Sequence, residues 1–144
     1  MARIVFDVDV VAPADRIIEA LNTRDGIAGW WTADVAFDGG AGGTMKLGFP
    51  VAPLPFELRV DEVEAHRIVW SSVGPFPPHW VDTRVIWTLR PGDDGSSTAL
   101  HFSHEGWVND EGPFGMSALT WGRLMDTLKR HVETGDAVPL FPKP

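Results

Sequence analysis

The chain has 144 residues, 44% of them hydrophobic and 22% charged, with a formal charge of −8 at neutral pH. That is an ordinary globular composition, long enough to bury roughly two-thirds of the surface its unfolded form exposes. The acidic balance disfavours phosphate backbones and anionic lipid, so nucleic acid is not an expected partner; the lack of cysteine removes disulfides, thiolate metal sites and thiol nucleophiles together.

The opening MARIVFDVDV alternates instead of forming an apolar block, and no stretch approaches the ~20 apolar residues that cross a bilayer. The expectation is therefore one domain over residues 1–144, cytoplasmic and without membrane insertion. Ile4, Phe6, Val8 and Val10 interleave with Asp7 and Asp9, the period of a half-buried strand. Pro13 suits the start of a helix, Asp15 favours its positive end, and Ile17, Ile18 and Leu21 give it an apolar face. A second short helix is expected through Ile27 to Trp31, weakened by Gly26 and Gly29.

From Ala33 onward the pattern is strand and turn. Val35 and Phe37 precede GGAGG at 39–43, read as a hairpin connection because no helix and no Lys-Ser/Thr pair follows to make a phosphate loop. Met45, Leu47 and Phe49 share one face of the next strand, and the proline-rich PVAPLP at 50–55 interrupts it. Phe56, Leu58 and Val60 resume the alternation, and Ile68 to Val73 returns after a turn near Ala65 and His66. GPFPPHW at 74–80 breaks the pattern again. Val85, Trp87 and Leu89 share a face, PGDDGSS is a solvated turn without the ligand spacing of a calcium loop, and Leu100, Phe102 and His104 share a face on the returning strand.

Phe114, Ala118, Trp121, Met125, Leu128 and Val132 then recur at spacings of three and four. They predict a long helix starting between Asp110 and Phe114 and ending at Gly135. Because successive hairpin connections alternate between the two ends of a meander, the loops at 50–55, 74–80 and 105–112 fall at one end. That end gathers Phe76, His79, Trp80 and Trp107.

Four segments carry a family resemblance: VDVVAPADRIIEAL (8–21), the WW pair at 30–31, LRPGDDGSSTALHFSHEGW (89–107) and TWGRLMDTLKRHVETG (120–135). Together they resemble the SRPBCC (START/Bet v 1-like) superfamily, and within it the homologues of the Hsp90 ATPase activator's C-terminal domain. The resemblance implies an α+β helix-grip fold: a curved antiparallel sheet of about seven strands around a long C-terminal helix, with two short helices after the first strand. It also implies a hydrophobic ligand, lipid or aromatic, held between helix and sheet. No catalytic set of the superfamily's polyketide cyclases maps onto particular residues, and fold likeness alone does not carry activity.

Seven tryptophans and eight phenylalanines make either a solid core or a ring-walled cavity. Parity and the resemblance nominate as ligand-binding residues Met45, Leu47, Phe49, Leu58, Trp70, Trp80, Val85, Trp87, Phe102, His104 and Trp121. His104 shares the parity of Leu100 and Phe102, so it presents an imidazole to a ligand or is tied to a neighbouring polar group. His101 and His104 have opposite parity and do not share a metal without a bulge, so no metal and no cofactor is expected. Glu62 has the parity of Phe56 and Leu58, which requires a bulge or the end of the covered sheet. The alternatives left open are a cyclase- or hydrolase-like enzyme using His104 or His79, and a module that contacts a chaperone, another protein or a second copy of itself.

Overall fold

The computed structural model describes residues 2–142. Strand β1 (Ala2–Val10) is followed by helices α1 (Ala14–Asn22) and α2 (Arg24–Ala28). Then come β2 (Val35–Ala36), β3 (Thr44–Leu47), β4 (Phe56–Glu64), β5 (Arg67–Ser72), a single 3-10 turn at Pro78–Trp80, β6 (Arg84–Pro91), β7 (Thr98–Trp107) and α3 (Pro113–Thr134). The seven strands form one antiparallel sheet in the order β1-β7-β6-β5-β4-β3-β2. This is the α+β helix-grip architecture: strands two to seven are a simple meander, and the last strand closes back on the first.

Two helix ends have a clear local cause. Thr23 caps α2, its Oγ1 accepting from the Gly26 N–H at 2.9 Å. Gly135 ends α3 at φ 81°, donating its N–H to the His131 carbonyl at 2.8 Å, and glycine takes that left-handed conformation without a Cβ penalty.

The apolar stripe of α3 lies along the concave face of the sheet. Trp121, Leu124, Met125, Leu128 and Val132 are buried there, opposite Met45, Leu47, Leu58, Val60, Ile68, Trp70, Val85, Trp87, Leu89, Leu100 and Phe102. Alternation along the strands places these residues inward and leaves Lys46, Arg59, Arg84, Thr88 and His101 outside. The strand parity is broken once in β4, by a register shift between Val60 and Glu62. Asp61 is the extra residue, so Val63 opposite Ile68 takes the inward position and Glu62 turns out to meet Arg67 at 3.2 Å. Among the described residues no helix is long and apolar enough to cross a membrane.

Because Leu128 is 1% exposed in the middle of this interface, Leu128→Ala is expected to cost about 2–5 kcal/mol. Urea unfolding should show a lower midpoint with an unchanged slope.

Candidate functional site: an aromatic cavity beside a buried histidine

Aromatic packing closes the centre of the helix–sheet interface. Trp31 lies 5.0 Å from Trp121 between ring centroids and stacks on Trp70 at 6.1 Å; Trp87 meets Trp70 at 5.4 Å and Phe102 at 4.9 Å, both edge to face. These geometries suit the ring quadrupoles. The Trp30 indole donates to the Ala20 carbonyl at 2.9 Å, fastening the segment after α2 to α1. The buried indole nitrogens of Trp70, Trp87 and Trp107 have no hydrogen-bond partner, so the rings there serve as apolar filling.

His104 sits in this packing, fully buried. Its Nδ1 accepts from the Trp121 indole N–H at 3.1 Å, which leaves the ring proton on Nε2. Nε2 lies 2.8 Å from the Thr83 hydroxyl and donates to it, and Thr83 donates in turn to the Trp80 carbonyl at 2.6 Å. One chain of three hydrogen bonds therefore runs from α3, through β7, to the loop before β6. Gly106 allows the close approach: with φ at 91°, a Cβ there would stand 3.1 Å from the Asp82 carbonyl oxygen and 3.3 Å from the Thr83 Cα. Burial pushes the His104 pKa down to about 3, helped by the neighbouring His79. The imidazole is thus held neutral, with both nitrogens committed.

The most apolar space among the described residues opens at one end of the interface. A cavity of about 350 Å³ lies between the first half of α3, the 48–56 loop, the 3-10 turn and the end of the chain. Trp31, Phe49, Phe56, Trp80, Trp121 and Phe141 supply its rings, and Val51, Ala52, Pro113, Met116 and Leu124 its aliphatic surface. His79, Ser117 and Thr120 are its polar side chains. This is the end of the meander where the proline-rich loops gather. At the rim Val51 is 95% and Met116 75% exposed. Phe141 is held there by the tail, where Leu140 and Phe141 donate backbone N–H groups to the Trp30 and Trp31 carbonyls at 3.1 and 2.9 Å.

Of the residues nominated from the sequence, Phe49, Trp80 and Trp121 line this cavity. Met45, Leu47, Leu58, Trp70, Val85, Trp87, Phe102 and His104 do not: they face the helix as parity requires, but large rings from both sides fill the space between. Trp31, Phe56, Ser117 and Phe141 are wall residues that the parity argument passed over. The WW pair and the strand position of Phe56 were visible in the sequence. Phe141 carried no such signal, because its place depends on the tail folding back. Phe49 reaches the wall from the loop, since β3 ends at Leu47.

His101 points to the outer face, 2.7 Å from Asp7, while His104 is inside, and among the described residues no three His, Asp or Glu side chains gather around a common metal position.

A concave sheet closed on a long helix, with an apolar cavity left at one end, is a Bet v 1-like helix-grip fold, consistent with a ligand-binding module. The chain belongs to the family described as Activator of Hsp90 ATPase homolog 1-like protein, whose model matches residues 11–133. Among solved structures it is similar to the Aha1 dimer from Colwellia psychrerythraea, with 25% identity and a TM-score of 0.84 over 94% of this chain and 98% of that one. It is also similar to protein MLL2253 from Mesorhizobium loti (19% identity, TM-score 0.76, 94% of this chain and 99% of that one). A third is DynU16, a putative protein in the dynemicin biosynthetic locus (25% identity, TM-score 0.70, 94% of this chain and 48% of that one). No curated protein sequence matches the chain.

The state of His104 has a measurable consequence. An unfolded imidazole titrates near 6.5, the folded one near 3, so between those values the unfolded chain takes up a proton that the folded chain refuses. Stability is expected to be full above pH 6.5 and to fall by up to about 1.4 kcal/mol per unit as pH drops through that window. His79, also lowered by burial, adds to the same trend. Denaturant melts at several pH values should show a shallower slope in His104→Leu than in the parent, with the parent more stable at pH 7.

Proposed function

We propose that this protein is a single-domain cytoplasmic binding module that holds an apolar small molecule in the cavity between α3 and the proline-rich loops. The observation that carries this reading is the cavity's make-up: ring-lined, polar at only three side chains, and open enough that Val51 and Met116 meet water. Water against such a wall is displaced favourably by an apolar ligand. Phe49, Trp80 and Trp121, together with Trp31, Phe56 and Phe141, are the proposed contact residues.

Binding fits the geometry better than catalysis by His104. A general acid or base needs a nitrogen facing substrate, and both nitrogens of His104 are engaged inside the core. His79 stands at the cavity edge, stacked on Trp107 at 5.8 Å.

A second reading concerns assembly. The similar Aha1 structure is of a dimer, and the exposed Val51, Leu54 and Met116 give this chain apolar area for a partner copy. Sedimentation over a range of concentrations tests it, a concentration-independent monomer mass being the adverse result.

For the ligand, native mass spectrometry of the purified protein should show an added mass that is extracted by organic solvent. Thr120→Phe places a ring in the cavity from an exposed turn of α3, and is expected to abolish that adduct while leaving the melting temperature within a few degrees of the parent. An adduct retained at full occupancy in Thr120→Phe would put the ligand elsewhere.

A further inference from the structure

The polar groups of the cavity narrow the class of molecule it takes. Ser117 is 9% exposed and faces the space from α3. Its oxygen already accepts the Trp80 indole N–H at 3.2 Å, and among the described residues its own proton finds no acceptor. The other hydroxyl in the wall, Thr120, gives its proton to the Met116 carbonyl at 3.0 Å. With the cavity empty that proton can go to water; a purely apolar ligand displaces the water and strands it, whereas a ligand oxygen takes the proton in its place.

Among the described residues no lysine or arginine lines the cavity. Lys46, on the strand before the 48–56 loop, is paired with Glu57 at 3.7 Å, and burial lowers the pKa of His79, disfavouring a positive charge there. A carboxylate or phosphate headgroup therefore meets no counter-charge among the described wall residues, and the protein as a whole carries −8. A cation is no better served, because among the described residues no Asp or Glu lines the cavity and the vacant group is a donor.

The shape is set by rings. Phe49 and Phe56 meet edge to face at 4.7 Å, Phe49 and Phe141 at 5.0 Å, and Trp80 stacks on Trp121 at 5.9 Å with planes 14° apart. Locked rings keep a fixed outline and favour ring partners over flexible chains. The volume, about 350 Å³, is at the small end of ligand sites, roughly 300–1,000 Å³.

Building on the binding role proposed above, we infer that the cavity selects an uncharged, flat aromatic molecule of two or three rings bearing a carbonyl-type oxygen, which accepts the Ser117 hydroxyl proton. Fatty acids and phospholipids are excluded as its ligands.

Calorimetric titration of the intact protein with three probes tests this: methyl naphthyl ketone, ethylnaphthalene and decanoate. The ketone is expected to bind about fivefold more tightly than the hydrocarbon of the same shape, the ratio one net hydrogen bond supplies, and decanoate at least tenfold more weakly than the ketone. Ser117→Ala should bring the ketone-to-hydrocarbon ratio to about one. The parent comparison needs no variant, so loss of folding in Ser117→Ala would leave the test intact. Equal binding of ketone and hydrocarbon by the parent, or decanoate binding as tightly as the ketone, overturns the inferred class and leaves the cavity as a ligand site. Failure of all three probes to bind overturns both.

Discussion

The Trp121–His104–Thr83–Trp80 hydrogen-bond chain joins three separate elements of the molecule: the long helix, the last strand and the loop before β6. Each member is buried, so each bond is made away from competing water, and breaking one leaves a polar atom with nothing to replace it. The chain fixes where Trp80 and Trp121 stand. Those two indoles form one side of the cavity, so the site's outline depends on a histidine that never touches it.

Ring packing then decides how much space survives. A helix laid across a curved sheet can leave a hollow along its whole length, but here Trp31, Trp70, Trp87, Phe102 and Trp121 interlock and fill the middle. The remaining volume is pushed toward the first turns of α3, where proline-rich loops replace strands and cannot press their backbones as close. An apolar cavity open to solvent at the rim is what remains there. Likeness to Aha1 and to DynU16 extends over 94% of this chain, and so over the framework that creates this space.

Much of the framework could be read from residues alone. Alternation in β1, β6 and β7, the three-four spacing from Phe114 to Val132, and Gly135 as a helix stop all appear in the structure where local pattern placed them. The doubt over Glu62 was itself informative, since a polar residue at an inward position signalled the bulge at Asp61. The site was less legible. Parity separates inside from outside, but it does not distinguish a side chain that meets another side chain from one that meets a void.

The sequence by itself determined the strand order of the meander, the face each strand buries, the helix that covers it, and the end at which the loops converge. These follow from periodicity and turn chemistry, which act between neighbours in the chain. Tertiary structure alone decided that His104 is tied down inside, that Phe49 reaches the wall from a loop, that Phe141 returns to complete it, and that Ser117 keeps a free proton. Those outcomes rest on volumes and hydrogen-bond partners contributed by segments distant in the sequence, as Phe141 is from Trp31, and no local pattern encodes how such pieces fill space.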